Sequence, residues 1–141
     1  MKRLIILTLT ALCVTMAVSA QSSLHIGRLF TQLQGNPDAS VTCIRGGALK
    51  DYKLNLFYSV VVEDNDGLSG QIEAALAKDA RKALDREVQY RGGRLHYAFY
   101  VLGKTAEGLN RYILFSGGRR TVLIYLEGRA DRSVINSFLK K

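Results

Sequence analysis

The side chains best suited to proton transfer or metal binding are two histidines, His25 and His96. Imidazole titrates near neutral pH, so it serves as a general base or a metal ligand when an acid or thiol stands beside it. Neither histidine has a carboxylate or cysteine at ligand spacing, so no metal site and no cofactor are expected. His25 opens a helix and should be solvated. His96 falls in a strand, on the pleat face of Ala98 and Tyr100, and is the candidate base of a small hydrolase that would use a nearby acid. The acids cluster at Glu63, Asp64 and Asp66, in a segment of turn composition. No Gly-x-Ser-x-Gly elbow presents a serine nucleophile, and Ser69-Gly70 and Ser116-Gly117-Gly118 read as turns. No catalytic residue is therefore assigned, and catalysis is the secondary reading.

Positive charge is the stronger signal. Arg91 and Arg94 flank Gly92-Gly93, Arg119 and Arg120 follow Gly117-Gly118, and Arg45 precedes Gly46-Gly47. None of these glycine pairs leads into the glycine-lysine helix start of a phosphate loop, so they punctuate strands. Two antiparallel steps separate the strand after Gly93 from the strand after Gly118. Arg91, Arg94, Arg119 and Arg120 should therefore meet at one end of a sheet, with Arg45 expected beside them, as a basic edge for a polyanion or a protein. The strand from Arg94 to Tyr100 carries aromatics like those of RNA-recognition sheets. His96 stands where such a strand needs glycine, and the second strand motif is missing, so nucleic acid is not an expected partner.

These residues need elements to hold them. Ile26, Leu29, Phe30 and Leu33 recur at helical spacing, predicting an amphipathic helix over residues 23–34 that Gly35-Asn36-Pro37 stops. Strands are expected over residues 40–44 and 53–63, the second apolar on both faces along its later half. After the turn at Asp64-Asn65-Asp66-Gly67, the positions Leu68, Ile72, Leu76, Ala80, Ala83 and Leu84 predict a helix of about five turns. Lys78, Arg81, Lys82, Asp85 and Arg86 would form its solvated face. Three strands follow, over residues 95–102, 112–115 and 121–127, and Asp131 caps a last short helix. The order α-β-β-α-β-β-β-α defines an α+β domain, one mixed or mostly antiparallel sheet with helices packed on it.

The first 20 residues read differently. Lys2 and Arg3 precede an apolar run from Leu4 to Val18, and Val18-Ser19-Ala20 has the small-x-small pattern of a signal peptidase site. Cleavage would leave one domain from Gln21 to Lys141, exported to the periplasm or beyond, with no membrane span. It would also remove Cys13, so the mature chain would carry Cys43 as a buried strand residue and gain no internal disulfide. Without Lys2 and Arg3 the net charge falls from +8 to +6, which favours anionic neighbours in an envelope.

The leader, the early strand before Arg45-Gly46-Gly47, the long middle helix and the closing run Val122 to Gly128 resemble small exported domains of unknown function found in Bacteroidetes-type envelopes. The resemblance implies an α+β fold and an extracytoplasmic site of action, and it carries no catalytic residue onto this chain. The function expected is a binding or protein-interaction module of the envelope, with an envelope protein or an anionic glycan or lipid as partner. A hydrolase using His96 and a structural accessory subunit are the alternatives.

Overall fold

The computed structural model describes residues 24–139, so the segment read as a signal peptide, Met1 to Ala20, lies outside the described residues. Helix α1 (His25–Leu33) leads into β1 (Ala39–Arg45), a 3-10 helix (Gly46–Tyr52) and β2 (Leu54–Glu63). Helix α2 (Asp66–Ala80) is followed by β3 (Asp85–Arg91), β4 (Arg94–Leu102), β5 (Asn110–Ser116), β6 (Arg120–Gly128) and α3 (Arg132–Leu139). The strands form a single sheet in the order β1-β2-β6-β5-β4-β3, and every neighbouring pair is antiparallel.

Alternation along the central strands sends side chains into two cores. Tyr58, Val60, Ala98, Ile113, Leu123 and Tyr125 meet Ile26 and Phe30 of α1 and Ile72 and Leu76 of α2 on one face. Phe99, Tyr112, Leu114 and Leu126 meet Leu49 of the 3-10 helix, Ala130 and Ile135 of α3 on the other. Phe30 stacks on Tyr58 at 4.2 Å, and Gln34 donates to the Tyr58 hydroxyl at 2.7 Å, fixing α1 across β2.

Three expectations need correction. Helix α2 ends at Ala80, one turn earlier than its spacing predicts. The Lys82 and Ala83 N–H groups donate to Asp79 and Ala80 in tight turns, and the Leu84 N–H then donates to Val101 at 2.7 Å. The sheet thus captures the chain at Leu84, whose side chain is left exposed. The next segment is an extra edge strand, β3, hidden from a hydropathy reading because only Val88 is even half-buried. Gly92-Gly93, expected to punctuate strands, is the two-residue turn between β3 and β4. Both glycines have positive φ, 59° and 79°, as a hairpin turn matched to sheet twist requires. The third correction is Cys43, which lies in β1 opposite Tyr58 as a half-buried residue and not a buried one.

Candidate functional site

The meander brings the starts of β4 and β6 to one end of the sheet, where they meet the turn into α2. A cleft of about 400 Å³ opens there between Arg91, Arg94 and His96 on one side and Arg119 on the other. The pairing register explains His96. Gln89 faces Tyr97 and Tyr90 faces Leu95, so His96 is the extra residue of a bulge with no partner across β3. Bulges break pairing and re-aim a side chain, and His96 lines the cleft beside Leu95. On the other side of β4 the Gly117 N–H donates to the His96 carbonyl at 2.8 Å.

The cleft is not a basic edge alone, because α2 and its leading turn add Asp64, Asp66 and Glu73 to its walls. Arg94 pairs with Glu73 at 3.1 Å, Arg119 with Asp64 at 3.2 Å, and Arg120 with Glu63 at 3.7 Å. The Asp64 N–H also donates to the Arg119 carbonyl at 2.9 Å, so the two turns are tied by backbone as well as by charge. Asn65 caps α2 by accepting from the Leu68 N–H at 3.0 Å, which places Asp66 of its first turn at the positive end of the helix dipole. Beneath it Ser69 of α2 and Thr121 of β6, both buried, share a hydrogen bond of 2.8 Å.

Of the five arginines named from sequence, Arg91, Arg94, Arg119 and Arg120 lie at this end. Arg45 does not. It pairs with Leu56, which in turn faces Glu127, whereas Arg120 faces Glu63. The strand β1 runs parallel to β6, so its last residue belongs at the other end of the sheet, where Arg45 lines a separate cavity with Lys50, Lys53 and Arg129.

His25 opens α1 with a side chain 43% exposed, as expected, and is in addition tied to α2. Its N–H and that of Ile26 both donate to the carboxylate of Asp79 at 2.8 Å, and its Nδ1 lies 3.1 Å from the same group. Asp79 is fully buried and caps α1 from α2, since Leu24 at the helix start makes no side-chain cap. The signal for it was present in the sequence. Asp79 lies three positions after Leu76 and seven after Ile72, on the apolar stripe, where a carboxylate needs donors.

The aromatic strand offers no stacking platform at its centre. Phe99 is buried, lies 5.8 Å from the ring of Tyr112, and is covered by the Arg132 guanidinium at 5.4 Å. Arg132 also pairs with Asp85, binding α3 to the start of β3. Among the described residues no group of three or more His, Cys, Asp or Glu side chains could hold a metal ion, and no helix is long and apolar enough to cross a membrane.

A six-stranded antiparallel sheet, two helices on one face, a shorter one on the other and an ion-paired cleft at one end define a small α+β domain. The chain belongs to DUF6108, a family of unknown function whose model matches residues 13–139. No curated protein matches it significantly.

Proposed function

We propose that the protein is an exported interaction module of the cell envelope, and that it engages a partner protein at the cleft around His96. Export rests on the leader pattern of Met1 to Ala20. The observation that carries the choice of partner is the alternation of charge in the cleft, where Arg94 and Arg119 each stand beside a carboxylate. A polyanion would meet Asp64, Asp66 and Glu73 as well as the arginines. A protein surface bearing both signs can exchange partners with each pair, which gives specificity and register more than raw affinity. The bulge at His96 adds a half-exposed imidazole to that surface.

The test is crosslinked capture from intact cells. A chain with Arg91, Arg94, Arg119 and Arg120 all changed to Ser should lose the partner that the unaltered chain retains, while Arg45→Ser should keep it. Capture that survives the fourfold change overturns the reading. One observation favours the hydrolase as a second reading, namely that His96 shares the cleft with three acids. Loss of turnover of an envelope-derived substrate in His96→Ala would establish it.

A further inference from the structure

We infer that the opposite end of the sheet holds a binding site for a phosphate-bearing ligand, formed by Arg45, Lys50, Lys53 and Arg129. These four cations line a cavity of about 640 Å³, and among the described residues no carboxylate lines it with them. That volume lies in the range of small-molecule sites. Gathering like charges is unfavourable without an anion among them, and the same chain neutralises its other arginine cluster with Glu63, Asp64 and Glu73. Arg45 adds a second observation. Its Nε is buried and makes no hydrogen bond, a condition that folded proteins ordinarily avoid.

The backbone holds the cations in place before any ligand arrives. Lys53 adopts a left-handed conformation, φ 57° and ψ 35°, and its N–H donates to Leu49 and Lys50. Its carbonyl accepts from the N–H groups of Arg129 and Ala130 at 3.0 and 2.9 Å. This clasp fixes Lys53 against Arg129 and closes one wall. It depends on Gly128, where a Cβ would lie 2.6 Å from the Leu54 Cα and 2.7 Å from the Lys53 oxygen. Asn55 is the bulge residue of β2, skipped between the pairs Leu54 with Gly128 and Leu56 with Glu127, and it adds an amide to the lining. Nearby acids are engaged elsewhere. Asp131, which feels the charge of Lys53, accepts from the Ser133 hydroxyl and the Val134 N–H, and buried Glu127 accepts from the Tyr125 hydroxyl. Asp51, on the 3-10 helix, is exposed.

Multiple lysines and arginines without carboxylates suit a phosphomonoester or pyrophosphate, which presents several acceptor oxygens and more than one charge. The group could reach the site on a soluble molecule or on a lipid headgroup. This inference is independent of the cleft around His96, and either can fail alone.

The experiment is a titration of the isotope-labelled intact chain with inorganic pyrophosphate, followed by amide NMR, with a parallel sedimentation assay on vesicles of equal phosphatidylglycerol and phosphatidylcholine. Saturable shifts centred on Gly46, Gly47 and Arg129 are expected. Gly47 has open space around it and no positive φ, so Gly47→Glu places a carboxylate on the lining without backbone strain and should weaken binding at least ~10-fold while the spectrum stays folded. Lys53→Asn with Arg129→Ser should do the same, and Arg91→Ser with Arg94→Ser should change nothing. Vesicle binding that pyrophosphate displaces assigns a headgroup source, and pyrophosphate binding without vesicle binding assigns a soluble one. Absence of saturable shifts, shifts centred on Arg94 and Arg119, or affinity unchanged in Gly47→Glu overturns the site.

Discussion

The two ends of the sheet are built with the same backbone devices and carry opposite electrostatic solutions. Each has a bulge residue at a cavity, His96 at one end and Asn55 at the other. Each also has a glycine pressed against a neighbouring strand, Gly117 and Gly128. At the His96 end the close of β2, the turn after it and the middle of α2 bring Glu63, Asp64 and Glu73 to the arginines. At the Asn55 end the 3-10 helix and the link into α3 bring Lys50, Lys53 and Arg129 to Arg45, and the cavity lining receives no acid among the described residues. The surplus positive charge of the chain is therefore not an even coat. Which element closes each end decides whether its cations are matched or left for a ligand.

The comparison breaks most severely at the glycines. A Cβ at position 128 would collide with backbone atoms, the Leu54 Cα at 2.6 Å, the Lys53 oxygen at 2.7 Å and the Asn55 nitrogen at 3.0 Å. At position 117 it would meet one backbone oxygen, that of Leu95 at 2.6 Å, and the edge of the Phe115 ring at 3.1 Å. Gly128→Ala should cost about 3 kcal/mol and Gly117→Ala about half of that, both read from urea unfolding. Equal costs would show that the clasp at Lys53 gives way as readily as the aromatic ring does.

Next in size is Asp79, a buried charge set against the exposed ones of the cleft. Asp79→Ala removes the acceptor of two buried-end N–H groups of α1 and should cost about 2 kcal/mol, with α1 losing amide-exchange protection first. A loss below about 0.5 kcal/mol would mean that α1 finds another cap.

Asp79 also marks how far the sequence could be read. The stripes of α1, β2 and β6 were legible because burial imposes a period, and the meeting of Arg94 with Arg119 followed from counting antiparallel steps. What escaped had no period to show. The strand β3 reads Asp-Arg-Glu-Val-Gln-Tyr-Arg, an edge kept polar, and its register exists only through β4. The acids of the cleft are distant in sequence from its arginines, so their pairing waited on where α2 begins. Arg45 was misplaced because the strand order beyond β2 decides which end it reaches, and local residues do not encode that order.

Tyr125 links the comparison to pH, since its hydroxyl is bonded to Glu127 near the Asn55 end. Burial, and then the charge of Glu127, push this phenol well above its ordinary value of 10. The folded chain therefore keeps a proton that the unfolded chain releases above about pH 10, so stability is present below that pH and falls as pH rises. Tyr58, Tyr100 and Tyr112 shift the same way, each chiefly through burial. Tyr125→Phe should cost about 1 kcal/mol at neutral pH and remove about 1.4 kcal/mol per pH unit from the alkaline slope, measured by urea unfolding between about pH 9 and about pH 11. An unchanged slope would show that Tyr125 is not the group that resists ionisation.

The smallest effect on stability is expected where the largest effect on partner capture is proposed. Arg119 and Asp64 are 90% and 63% exposed, and Arg120 and Glu63 are 66% and 67% exposed. Water and salt screen such pairs, and holding two long side chains together costs entropy, so each contributes about 0.5 kcal/mol or less. Changing Arg119 and Arg120 to Ser should leave the urea midpoint nearly unchanged in low and in moderate salt. The backbone bond from Asp64 to Arg119 and the cap by Asn65 remain and keep the turn in place. If the double change instead lowered stability by more than about 1 kcal/mol, the ion pairs would be structural supports for the end of β6. Their alternation would then follow from folding alone, and the contrast between the two ends would lose its functional meaning.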